Sequence, residues 1–220
     1  PHPQATPAPA PAPAPAAAQG PLPDSLVERT VRTGFPVPLP LNPDGTAPEH
    51  QASEAGPIAG TPFWRTQGRV TPQIEYDYKK MSIKVDTRGL GKLGGTMHFS
   101  DIEKLPQVSH TFLLQCGAAT PKGVVKWTGV KFSDFADMLG LVLGVHYARF
   151  VASDKMYNDE PMETLRRPQV MLAWLLNDKP IHPANGAPRR SIMPFRHGKR
   201  TNKETTEIGC ATPAPPMHPL

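Results

Sequence analysis

Residues 110–140 read HTFLLQCGAATPKGVVKWTGVKFSDFADMLG. The stretch opens with aromatic and β-branched residues and becomes continuously apolar through Phe112, Leu113 and Leu114 before it stops at Cys116. That is the pattern of a buried strand. Gly117, Ala118 and Ala119 follow, so side-chain bulk is missing just where the chain leaves the strand and a large group can approach the sulfur. After Trp127-Thr128-Gly129 the spacing predicts a helix, with Ser133 as its N-cap and Phe135, Met138, Leu139 and Val142 on one face.

Outward from this block, YKKMSIKVDT (78–87) alternates apolar and polar residues as a strand does. MHFSDIEKLPQ (97–107) predicts a short helix with Ser100 and Glu103 as a capping box and Pro106 closing it. HYARFVASD (146–154) and VMLAWLLND (170–178) read as strands and SIMPF (191–195) as a shorter one, with turns at NDKP and NGAP. Short strands, irregular loops and a few small helices define an α+β domain, mostly β.

The ends differ in texture. PHPQATPAPAPAPAPAAAQGPLP opens the chain, a Pro/Ala tract that cannot pack a core and predicts an extended, polyproline-like arm. A helix is expected over PDSLVERTV (23–31), and the last residues, CATPAPPMHPL, form a Pro-rich tail. The domain boundaries read 1–55 for the arm and irregular extension, 56–205 for the folded domain and 206–220 for the tail. The 38% hydrophobic content is low because the tails dilute it; the remaining ~160 residues suffice for one core. No apolar run reaches the roughly 18–20 residues of a membrane span. The Pro/Ala opening fits a mature, exported chain whose signal has been removed, for which the periplasm is the expected compartment, and it fits a trimmed chain equally well.

The net charge of +5 is local in origin. RRSIMPFRHGKRTNK (189–203) holds Arg189, Arg190, Arg196, Lys199, Arg200 and Lys203 with no acid among them. Such a run suits a phosphorylated ligand, an acidic protein surface or a solvated loop. A nucleic-acid footprint is disfavoured: Phe195 is its one aromatic and no DNA-binding motif accompanies it.

Cys116 has three readings. It is a small core hydrophobe, or half of a Cys116–Cys210 disulfide, or a metal ligand. One cysteine without CxxC or HxxxH partners cannot build a zinc site, so a metal on this thiolate brings its other ligands on an organic cofactor. Molybdenum on a pterin dithiolene is that case.

At this point the order of segments becomes informative. TPFWRTQGRVTPQIEYDYKKMSIKV (61–85), FSDIEKLPQVSHTFLLQC (99–116), WTGVKFSDFADMLG (127–140) and FVASDKMYNDEPMETLRRPQVMLAWLLNDKPIHPANGAPRRSIMP (150–194) together resemble the molybdopterin-binding oxidoreductase domain of the sulfite oxidase family. The resemblance covers about residues 60–205 and implies a sulfite-oxidase-type molybdopterin-binding fold carrying an extended N-terminal arm. It implies Cys116 as the metal's thiolate ligand, and Thr66, Asp154, Asn185, Arg190 and Lys203 as contacts to the molybdenum-molybdopterin. Arg65 and Tyr157 match positions at the active site. The chain departs from the family in having no arginine after Cys116, where Lys122 is the nearest cation, and in lacking the dimerisation domain. No CxxCH haem motif occurs, so the resemblance implies a separate electron carrier, a c-type cytochrome or a quinone-linked membrane subunit. The other reading it admits is a catalytically degenerate accessory subunit of a larger respiratory complex.

Overall fold

Ile83 and Val85 are buried while Ser82, Lys84 and Asp86 are exposed, the period-2 signature of a strand with one face on the core. That strand, β1 (Ser82–Asp86), belongs to a computed structural model that describes residues 38–59, 72–115 and 122–212. The other strands are β2 (Gly95–His98), β3 (Gln107–Leu114), β4 (Gly123–Lys131), β5 (Tyr147–Ala152), β6 (Tyr157–Pro161), β7 (Met171–Leu176), β8 (Lys179–Pro180), β9 (Arg190–Ile192) and β10 (Thr205–Ala211). Three short helices accompany them, α1 (Phe99–Ile102), α2 (Phe132–Met138) and α3 (Met162–Leu165). The fold is α+β and mostly β, as expected.

The strands form two sheets. The first has the order β2-β1-β10-β5-β6, with β1 and β10 parallel and the other pairs antiparallel. In the second, β3, β4 and β7 run in order, and β8 and β9 pair with the two ends of β7. One continuous core joins both sheets: Ile83, Phe150 and Ile208 from the first, Phe112, Trp127 and Trp174 from the second. Helix α2 spans the two, with Phe132 packed 5.5 Å from Phe150.

Gly129 explains the Trp-Thr-Gly triplet. The β4–β7 register shifts between Thr128 and Gly129. A Cβ on Gly129 would lie 1.9 Å from the Leu172 carbonyl oxygen, so only glycine admits this approach. The register seats Trp127 in the core beneath the basic run.

Several expectations are corrected. Helix α1 starts at Phe99, capped by the His98 N–H donating to Asp101, rather than by Ser100 and Glu103. Helix α2 starts at Phe132 after Lys131, one residue ahead of its expected cap Ser133. Both helices place a buried phenylalanine at their first position, and core packing there overrides the serine signal. Helix α2 ends at Met138 and the chain turns at Gly140 with φ +62°, which leaves Val142 51% exposed instead of on the buried face. Strand β10 lies in the stretch read as tail and occupies the middle of the first sheet.

The extension before residue 56 also packs onto the second sheet. Ala47 and Gln169 exchange two hydrogen bonds, His50 N–H donates to Thr111, and Gly56 N–H to Val124. The expected Pro/Ala arm and the helix over 23–31 lie outside the described residues.

Candidate functional site

Strand β3 delivers the chain to Gln115, the residue before Cys116, and three candidate-bearing segments meet around that point. Lys122 N–H donates to Leu114 at 2.7 Å, closing the mouth of the β3–β4 hairpin that carries Cys116. Ala59 N–H donates to Lys122 at 2.7 Å, so the stretch that leads to Arg65 and Thr66 departs from the same place. Gly198 N–H donates to the Gln115 carbonyl at 2.6 Å, which brings in the basic run. Cys116, Arg65 and Thr66 themselves lie outside the described residues. A cleft with about 290 Å³ of open space lies here, lined by Gln115, Trp127, Met193, Arg196, Gly198 and Thr201 among others.

Beside the cleft stands a cradle of cations. Arg190 is 4% exposed; one guanidinium nitrogen donates to the Asn185 carbonyl at 3.1 Å and another to Thr201 Oγ1 at 2.9 Å. Its guanidinium carbon lies 5.2 Å from the centroid of the Trp127 ring, a cation–π distance. Lys203 Nζ donates to the Ala184 carbonyl at 2.9 Å, and Lys203 forms a β-bridge with Arg190. The Asn185 loop closes over both. Gly186 has φ +103°, and a Cβ there would meet Lys203 Cβ at 2.8 Å and Arg190 Cγ at 2.9 Å. Asn185, Arg190 and Lys203, expected to act together, are brought together.

The basic run is therefore not a solvated loop. Arg189 is buried, bonded to the Ser82 carbonyl, and its Nε has no partner among the described residues. Burial pushes the Arg189 guanidinium down to about 9, partly offset by the Glu204 charge. Arg200 pairs with the fully buried Glu160, its Nε 2.9 Å from Oε1. Arg196 is the exposed arginine of the run. A surface that tracks nucleic-acid phosphates needs its cations in water, and these are mostly turned inward.

Asp154 is buried in the β5–β6 turn, where its Oδ1 accepts the Met156 N–H at 3.0 Å, and its charge acts on Glu204 beside Lys203. Tyr157 is the first residue of β6. It projects on the half-buried face of β6, opposite the buried Asn158 and Glu160, with its ring centroid 4.2 Å from the Arg149 guanidinium carbon. Arg149 is in turn held by Asp159 in a fork of 2.7 and 2.8 Å.

Sequence reasoning missed Asn202, a buried bracket between the sheets. Its side chain donates to the Phe150 carbonyl at 2.6 Å and accepts from Asn158, while its N–H donates to Ser191 Oγ at 3.0 Å. It missed Glu204 as well, since nothing in its sequence position signals full burial. Cys210 is a free thiol, 1% exposed on β10, while Cys116, the other half of the disulfide alternative, lies outside the described residues. Burial pushes the Cys210 thiol up to about 11.

No cluster of three His, Cys, Asp or Glu side chains among the described residues is placed to hold a metal. The donor set instead fits the organic part of a cofactor. Two buried guanidinium groups, the half-buried Lys203 ammonium, the orphaned Arg189 Nε and a loop that fits only with glycine suit an anionic, hydrogen-bonding group.

Comparison with known proteins shows the class of domain to which this fold belongs. The chain belongs to the oxidoreductase molybdopterin binding domain family, the sulfite oxidase type, whose model matches residues 69–217. It is 25% identical over 122 residues to the provisionally named protein-methionine-sulfoxide reductase subunit YedZ1 of Azospira oryzae, covering 56% of this chain and 46% of that protein. The crystal structure of the sulfane dehydrogenase SoxCD from Paracoccus pantotrophus shares the fold, with a TM-score of 0.58, 13% identity, and coverage of 86% of this chain and 57% of that one. The chain thus spans about half the length of each.

Proposed function

We propose that this chain is the molybdenum-pterin domain of a two-electron oxidoreductase that exchanges an oxygen atom with a small substrate. The observation that carries the proposal is the convergence of Asn185, Arg190 and Lys203 beside a cleft that opens at Gln115, the neighbour of the candidate ligand Cys116. When bound, the cofactor supplies a metal able to take up or give two electrons together with an oxygen atom. The chain's own residues do the rest. Cys116 supplies the thiolate; Asn185, Arg190 and Lys203, with Thr66 and Asp154, hold the pterin and its phosphate; Arg65 and Tyr157 serve the active site.

A neutral sulfoxide is the substrate class that fits. Lys122, a flexible point charge, is the cation nearest in sequence after Cys116, and no guanidinium fork follows the cysteine to grip an anion such as sulfite. The name of the Azospira relative points the same way. Electrons pass singly to a separate periplasmic carrier, a c-type cytochrome or a quinone-linked membrane subunit, and the Pro/Ala arm wraps that partner. No helix among the described residues is long and apolar enough to cross a membrane.

The test is molybdenum and oxidised-pterin fluorescence per chain in protein made by a cofactor-competent host, then turnover of sulfoxide and sulfite with a dye donor or acceptor. We expect near-stoichiometric metal, sulfoxide turnover above sulfite turnover, and a Cys116→Ser variant that folds without metal. A wild-type chain with neither metal nor pterin overturns the proposal in favour of the accessory-subunit reading.

A further inference from the structure

The cradle contains a carboxylate with no part in the account above. Glu204 follows Lys203 directly, is 0% exposed, and has φ +46°, a left-handed conformation that a glutamate rarely adopts and that its surroundings must hold. Its N–H donates to the Gly186 carbonyl at 3.2 Å, tying it to the Asn185 loop. Its carbonyl accepts from Ser153 N–H at 3.2 Å, and the Ser153 hydroxyl donates to Oε2, tying it to the β5–β6 turn. The second carboxylate oxygen, Oε1, has no donor among the described residues.

Charged and titratable groups face Glu204 from each side. Tyr76, whose hydroxyl donates to the Pro72 carbonyl, approaches from the loop before β1. Asp154 lies in the β5–β6 turn, Arg189 ahead of β9, and Lys203 on the same segment. With Arg190 the cluster holds three cations and, when Glu204 is ionised, two anions. One proton on Glu204 therefore doubles the net positive charge of the cradle, from +1 to +2.

We infer that Glu204 is a positioning residue that couples anion binding to proton uptake: the cradle of Arg190 and Lys203 takes the phosphate end of its ligand more tightly when the Glu204 carboxyl is protonated. A buried carboxyl with one undonated oxygen is already suited to carry a proton. Burial and the Asp154 charge push it up to about 7, against the Ser153 hydrogen bond and the charge of Lys203. An anion placed beside Lys203 raises it further, and by reciprocity the proton strengthens the anion. The inference rests on the cradle's proposed role in holding the cofactor's phosphate.

Inorganic sulfate tests it in the full chain without cofactor, because sulfate keeps its charge between pH 6 and 8. Its affinity is read from the rise in thermal midpoint on titration. For wild type we expect sulfate to bind about tenfold more weakly at pH 8 than at pH 6. Glu204→Gln, nearly the same shape, should bind at the tighter level at both pH values. Ser153→Ala removes a hydrogen bond to the ionised form and should move the midpoint of the pH step upward, which a purely structural role would not do. Arg190→Met should abolish the sulfate response. If Glu204→Gln keeps the full wild-type pH dependence, the inference is wrong while the cradle stands. If wild type gives no sulfate response at either pH, the cradle reading fails and takes the inference with it.

Discussion

Gly129→Ala is the sharpest test of how the site is built. The added Cβ would sit 1.9 Å from the Leu172 carbonyl oxygen, 2.7 Å from Ala173 Cα and 2.8 Å from the Leu172 carbonyl carbon. A close carbon–oxygen contact between strands is about 3.3 Å, so β4 and β7 would have to part by roughly 1.4 Å. Every atom in the clash is backbone, and no rotamer relieves it. The strands of a sheet are only about 4.8 Å apart, so that separation breaks the neighbouring ladder bonds as well. Two lost bonds at about 1 kcal/mol each, added to about 1–3 kcal/mol of overpacking, give about 3–5 kcal/mol. For a domain of this size that lowers the melting temperature by about 10 °C. Thermal unfolding followed by circular dichroism measures it. Gly209→Ala on β10 is the control, since a Cβ there meets nothing within 4 Å. A Gly129→Ala protein that melts within about 2 °C of that control would falsify the close-approach account of the Trp-Thr-Gly triplet.

Two further outcomes follow from the cradle. Arg190→Lys keeps the charge but loses the fork that spans Asn185 and Thr201, so pterin content should drop several-fold while stability falls by about 1–3 kcal/mol; fluorescence of the released pterin and a urea titration report the two separately. Glu204 is held neutral in the fold up to about 7, against 4.5 for an ordinary glutamate, so between those values the folded state binds more protons than the unfolded one. Stability should therefore decline by about 3 kcal/mol as pH rises through that window, and a urea series showing the same decline in Glu204→Gln would refute the assignment.

Strands β1, β3, β5 and β7 were legible because each presents apolar residues to the core in alternation or in an unbroken run. Strand β6 was not, because the residues it buries are Asn158 and Glu160, and a hydropathy pattern cannot reveal a strand whose inward face is polar. Strand β2 buries Met97 alone, too little to register. Strand β10 was lost against the prolines that follow it, although Ile208 and Cys210 alternate as strand residues do. The site shows the same division. The order of segments was enough to group Asn185, Arg190 and Lys203, but a run of cations does not disclose which of them sink. Arg189 and Arg190 are buried because carbonyls, a hydroxyl and an aromatic face receive them; Ser82 and Trp127 lie far away in sequence, and a run of cations does not mark the nearer Asn185 and Thr201 as partners.

Strand β10 sits between β1 and β5, more than fifty residues after the nearer of the two. During synthesis the β1–β2 and β5–β6 hairpins emerge first and wait as two separate ribbons, each with an open edge. The segment that unites them comes last of the ten and brings Lys203 and Glu204 with it. Closure of the sheet and completion of the cradle are thus a single late event, and a long-range pairing of this kind is slow. A ligand that needs the whole cradle can seat only after that closure.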